Sequence, residues 1–114
     1  MPLPNAEFAI IDPAKFRDYL LHDSHPIGQF KAKFFQSLGF RRERWQELEF
    51  ALRYHALRHE MRRGPESAYG TKYEIEGPIT GPSGRSAEIL VAWIVRKGEN
   101  VPRLITAYPT VFRP

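Results

Sequence analysis

The sequence predicts an α+β fold, with three N-terminal helices packed on an antiparallel β-meander of three to four strands. Three observations lead there. Apolar residues recur at spacings of three and four as far as Gly64 and at a spacing of two beyond it. Helix starts marked by proline stand at Asp12-Pro13 and Ser24-His25-Pro26, and glycines end the helical segments at Gly39 and Gly64. Past Gly64, turn-forming clusters cut the chain into pieces of strand length.

The elements follow in order. Phe8-Ala9-Ile10-Ile11 is a short apolar run that ties the N-terminal part to the core. Asp12 suits an N-cap, Pro13 the first helical position, and Ile11 can staple onto Phe16. The first helix should run from Pro13 to Leu21 with Phe16, Tyr19 and Leu20 inward. The second starts at His25-Pro26, carries Phe30, Phe34 and Leu38 on one stripe, and closes at Gly39. The third should span Arg42 to Arg62, with Trp45, Leu48, Leu52, His55 and His59 inward and Gly64-Pro65 as its stop. Tyr73 and Ile75 then alternate with charged residues, as in a strand with one wet face. Ala87 to Arg96 is apolar on both faces, so it should be a central strand. Lys97-Gly98-Glu99-Asn100 is hairpin chemistry, and Leu104 to Tyr108 is the last strand. The 114 residues fit a single domain, helical over 1–64 and a meander over 65–114.

Composition narrows the function. With 42% hydrophobic and 13% aromatic residues the chain can build a core, and disorder is excluded. The lack of cysteine excludes disulfides, thiolate chemistry and cysteine-based metal sites. No apolar run is long enough to span a bilayer, and Met1 to Asp12 has no signal-peptide pattern. A cytoplasmic protein is expected, or a module delivered by something else. The net charge is +4, and most of it sits at 41–64, where seven arginines face four glutamates. Such an excess suits a polyanion or an acidic protein, although Glu49 and Arg53 are also spaced to pair along a helix.

Four segments can carry chemistry. At His25-Pro-Ile-Gly28-Gln-Phe-Lys31, a helix start offers N–H groups to a phosphate, Gly28 admits it, Lys31 adds charge, and His25 titrates near neutrality. Tyr69 and Tyr73 can stack on bases or donate to phosphate, or else serve the core. Arg85 follows the glycine turn and suits a phosphate, although the turn is no P-loop. Thr106 and Tyr108 stand two apart in a strand, so both hydroxyls point to one face. His55 and His59 have the spacing of a helical metal pair, but no third ligand follows, so core histidines are expected and no metal or cofactor.

Taken in order, Leu3-Pro-Asn-Ala6, Ile11-Asp12, His25-Pro-x-Gly28-x-x-Lys31-Ala-x-Phe34-Phe35, Leu38-Gly39-Phe40, Tyr69-Gly70, Gly84-Arg85, Trp93-Ile94 and Leu104-x-Thr106-Ala-Tyr-Pro109 resemble a bacterial domain family of unknown function. That family occurs as stand-alone small proteins and as C-terminal modules of polymorphic toxins. More distantly, the layout is similar to the superfamily that groups barnase, EndoU, colicin-type and RelE-type ribonucleases. Gly28, Lys31, Thr106 and Tyr108 fall on motifs of its toxin members, while the His–Glu–Arg set of the best-studied ones is not in place.

The resemblance implies a toxin-type, metal-independent endoribonuclease that cleaves RNA through its 2′-OH. His25 would be base or acid, Lys31 and Arg85 would stabilise charge on the scissile phosphate, and Thr106 and Tyr108 would orient it or donate a proton. Gly28, Tyr69 and Tyr73 would bind substrate, and a small acidic protein would neutralise the toxin. The alternative is a non-catalytic module that binds protein or RNA, one half of a two-protein complex. The nuclease reading requires the start of the second helix and the last strand to meet.

Overall fold

The computed structural model describes residues 3–22 and 29–110. A four-stranded antiparallel sheet forms the second half, in the order β1 (Met61–Ser67), β2 (Gly70–Thr80), β3 (Ser86–Arg96) and β4 (Pro102–Pro109). Ahead of it come a 3₁₀ turn (Ala6–Phe8), a π-turn (Phe16–Leu20), helix α1 (Gln29–Ser37) and helix α2 (Trp45–Arg58), the last led by a 3₁₀ turn at Arg42–Arg44. The α+β class therefore holds, with α2 in the middle of the chain directly before the strands.

The first helical segment starts as its sequence requires. Asp12 Oδ1 accepts from the Ala14 N–H at 3.0 Å, so one of the free donors at the helix start is satisfied. It then widens, and the Leu21 N–H reaches the Phe16 carbonyl at 2.9 Å. This π-turn brings Phe16, Leu20 and Leu21 all inward, while Tyr19 stays half-buried at the rim. Helix α1 ends where glycine was expected: Gly39 has φ +98°, Phe40 N–H bonds the Phe35 carbonyl, and Gly39 N–H bonds that of Gln36. Its inward face differs from the expected stripe. Ala32 and Phe35 are fully buried, Phe34 is half-buried, and Phe30 is 74% exposed.

The third helix is shorter than expected. It stops at Arg58, and Met61 to Ser67, including Arg62, Arg63, Gly64 and Pro65, forms edge strand β1. The boundary between helices and sheet thus falls near residue 60 rather than at 64. Pro65 fits there because the β1–β2 pairing breaks register between Arg63 and Glu66, where no ladder N–H is needed.

β3 is central, pairing with β2 from Gly70↔Arg96 to Thr80↔Ser86 and with β4 on its other side. One face of the sheet carries Ile75, Ile79, Ile89, Val91, Trp93, Leu104 and Ala107 against the helices. Each branched aliphatic side chain among them contributes roughly 1.5–3 kcal/mol by leaving water. The other face carries Arg62, Glu74 and Thr106 in register across Ala92, with Glu76 and Tyr108 flanking Leu90 one row on. A bulge gives β4 this division of labour. Ala92 pairs with Thr106 but Trp93 pairs with Leu104, so Ile105 is the extra residue. Strict alternation would send Leu104 out with Thr106 and Tyr108. The bulge turns Leu104 into the core, 5% exposed, and leaves the two hydroxyls on the outer face.

β4's free edge is covered. Ile10 N–H bonds the Pro102 carbonyl at 2.8 Å, Leu104 N–H bonds the Ile10 carbonyl at 3.1 Å, and Lys15 Nζ donates to the Ile105 carbonyl at 3.1 Å. Among the described residues no helix is long and apolar enough to cross a membrane.

Candidate functional site

The site lies where the π-turn, the start of α1 and the outer side of β4 meet. Lys31, in the first turns of α1, is half-buried, and its Nζ donates to Thr106 Oγ1 at 3.0 Å and to Tyr19 Oη. The same ammonium stands 4.8 Å from the Tyr19 ring centre and 5.8 Å from that of Tyr108. Lys15 Nζ also stands over the Tyr19 ring, at 5.9 Å from its centre. A lysine ammonium has three N–H donors, so one is left over for an anion. Among the described residues no carboxylate pairs with Lys31.

Tyr19 responds to this setting. Burial pushes its phenol up, but hydrogen bonds with Lys31 and Thr106 and the charges of Lys31 and Lys15 outweigh burial. The net result holds the phenol below its ordinary range.

Beside this cluster, Arg62 on β1 bonds Glu74 at 2.8 Å and stands 3.6 Å from Glu76. The Glu74 hydrogen bond and charge, followed by Glu76 and Tyr108, raise the Arg62 guanidinium further above its usual value. The outer face therefore runs from a carboxylate–arginine group, over small apolar Ala92, to hydroxyls and an ammonium. The arrangement can hold a phosphodiester against Lys31 and present it to two phenols and a threonine.

The other residues singled out from sequence are dispersed. His25 and Gly28 lie outside the described residues. Arg85 is exposed at the tip of the β2–β3 turn, which is fixed to the far end of α1 by Ser83 N–H and Oγ donating to the Leu38 carbonyl at 3.1 and 2.8 Å. That tip is about 20 Å along β3 from Ala92, so Arg85 does not join Lys31. Tyr69 is 79% exposed in the β1–β2 hairpin, about 16 Å along the sheet from the Glu74 row. Tyr73 faces Trp93 on the inner side and packs against the core, so it cannot meet a ligand on the outer face.

Tyr19, Lys15, Arg62, Glu74 and Glu76 were not singled out. Tyr19 resembled one more core ring of its helix, and Arg62 stood within the expected third helix. The signal for Tyr19 was a ring with a polar tip flanked by Lys15 and the apolar stripe. For the glutamates, it was their alternation with Tyr73 and Ile75.

The His55 and His59 rings meet at a tilt of 56°, with centres 4.7 Å apart. Among the described residues no group of three or more metal-ligating side chains forms. A separate surface stands on α2: Phe50 and Tyr54 are 72% and 50% exposed, stack at 6.4 Å, and carry Arg58 over the Tyr54 ring at 4.9 Å.

Residues 2–111 match the DUF6883 family, described as a domain of unknown function, and the chain belongs to that family. No curated protein matches the sequence. The fold is similar to one chain in the structure of a contact-dependent growth inhibition toxin–immunity protein complex from Klebsiella pneumoniae 342. That match has a TM-score of 0.69 at 22% identity and covers 91% of this chain and 95% of the other.

Proposed function

We propose that this member of the DUF6883 family is a small toxin-type ribonuclease that cleaves RNA without a metal. The observation that carries the reading is the contact of Lys31 with Thr106, which closes the start of α1 onto the last strand beside Tyr108. In this chemistry the 2′-OH of RNA attacks the adjacent phosphorus, so the protein supplies charge stabilisation and proton handling. Lys31 would meet a non-bridging phosphate oxygen, and Thr106 and Tyr108 would orient it. His25 is kept from the sequence as an acid or base, with Gly28 admitting the chain. The fold's likeness to a chain of a toxin–immunity complex supports a toxin setting with a small protein partner, for which an acidic neutralising protein fits the +4 charge. The relation to the barnase, EndoU, colicin and RelE group belongs to this proposal. The test is cleavage of RNA in EDTA, wild type beside Lys31→Ala. Products from the wild type and a loss of 10²–10³-fold in the variant are expected, as for removal of one preorganised donor. Equal cleavage, or none by either protein, discards the reading.

One observation favours a second reading. The exposed Phe50–Tyr54 pair with Arg58 is the kind of aromatic and arginine surface that anchors a protein partner, as a non-catalytic half of a two-protein complex would need. A wild type inert toward RNA that binds a protein encoded beside it, and loses that binding on Tyr54→Ala, would select this reading.

A further inference from the structure

We infer that Tyr19 is the group that takes the proton from the attacking 2′-OH, its oxygen held ready by Lys31 and Thr106. This rests on the ribonuclease reading above and assigns a role to a residue that the sequence placed in the core. The geometry separates Tyr19 from its neighbours. Lys31 Nζ is a donor only, so Tyr19 Oη accepts from it, and Thr106 adds a second hydrogen bond. Tyr108 meets the same ammonium with its ring face, at 5.8 Å. Lys15 adds its charge from the helical turn that bears Tyr19 and is itself fixed to the bulge carbonyl of Ile105. Among the groups that face the Tyr19 phenol are Lys15 from its own segment, Lys31 from α1, and Thr106 from β4. All favour an oxygen that carries negative charge.

The 2′-O–H proton passes to the Tyr19 phenolate oxygen as a 2′-oxygen lone pair forms the bond to phosphorus. The P–O5′ bond breaks, its electron pair stays on the 5′-oxygen, and that oxygen takes a proton from water. The products are a 2′,3′-cyclic phosphate and a free 5′-hydroxyl, and Tyr19 then returns its proton to solvent.

The test measures kcat/KM for cleavage of a short RNA in EDTA from pH 5 to 10, with wild type, Tyr19→Phe and a protein carrying 3-fluorotyrosine at position 19 only. The wild-type rate should rise with pH to a plateau. Tyr19→Phe, its fold checked by circular dichroism, should lose 10²–10⁴-fold on the plateau, the range of general acid–base catalysis, and lose that rising limb. Fluorotyrosine keeps the shape of the ring and acidifies its hydroxyl, so the limb should move to lower pH, which a purely packing role would not produce. Wild-type cleavage with an unmoved limb in the fluorotyrosine protein overturns the assignment and leaves the ribonuclease reading standing. No cleavage by the wild type overturns both.

Discussion

Tyr19 and His55 are two ionisable rings drawn out of water, one beside Thr106 of β4 and the other against Gly77 of β2, and they end in opposite conditions. At Tyr19 burial opposes ionisation, yet two hydrogen bonds and two ammonium charges overrule it. At His55, 1% exposed, burial wins and pushes the imidazole down to about 4; the Gly77 carbonyl opposes the shift and His59 adds to it. A carbonyl only accepts, so His55 Nε2–H must donate to Gly77 O at 3.1 Å, which fixes a neutral tautomer. Its Nδ1 is buried with no hydrogen-bond partner among the described residues. Gly77 makes the arrangement possible, since a Cβ there would stand 2.7 Å from the His59 ring. Desolvation is common to both sites. The sign of the outcome comes from the partners: donors and cations around the phenol, an apolar wall and a second imidazole around the histidine.

The largest effect that tests this contrast is an acid instability. Above the unfolded imidazole value near 6.5, His55 is neutral in both states and costs nothing. As pH falls, the unfolded chain takes up a proton that the folded chain refuses until about 4. Stability is therefore lost across that window, by about 3 kcal/mol in all. Urea midpoints at pH 7 and pH 4.5 should differ more for wild type than for His55→Leu, which has no proton to bind. A variant as acid-sensitive as the wild type would show that His55 is not where the proton enters.

The sequence exposes these two sites unequally, and for physical reasons. His55 was readable as core, because it continues the stripe of Leu48 and Leu52 on a long amphipathic segment. Lys31, Thr106 and Tyr108 were readable as polar groups, and it was the nuclease reading that required their elements to meet. Tyr19 was not, because its outward turn depends on a π-turn, and one short widened turn leaves no periodic trace. Arg62 was hidden because helix-favouring residues run through 58–63, whereas pairing with β2 pulls Met61 to Ser67 into the sheet. The two-residue spacing of Thr106 and Tyr108 placed them on one face correctly. That Leu104 leaves that face was invisible, since the bulge at Ile105 is set by tertiary packing. Phe30 misled for the opposite reason: the stripe with Phe34 is real, but the sheet receives the neighbouring face with Ala32 and Phe35.

The next effect sharpens the contrast from the other side. Lys31→Met keeps the side chain's bulk and removes the first of the influences that lower the Tyr19 phenol. Burial is then opposed by Thr106 and Lys15 without the Lys31 hydrogen bond and charge, so the phenol should rise. Absorbance titration of Lys31→Met against the double variant with Tyr19→Phe isolates that ring from the other tyrosines. A Tyr19 transition at the wild-type pH would mean that Lys31 does not set the phenol's charge state, and the contrast with His55 would lose its cause.

The smallest effect concerns what holds Tyr19 in place. Asp12 caps the segment that becomes the π-turn, and its Oδ1 satisfies the Ala14 N–H. Asp12→Ala should cost about 1 kcal/mol, and Asp12→Ser, which keeps an acceptor, only a few tenths. The residue is exposed, so neither substitution disturbs buried side chains. Phe16, Leu20 and Leu21 are buried with the capped segment, and they rather than the cap should keep the π-turn closed. The Tyr19 titration should therefore stay at its wild-type position in Asp12→Ala even as the urea midpoint falls. A transition that moves up together with the midpoint would place control of the phenol in the helix start, and Lys31 would be reporting that position rather than causing the charge.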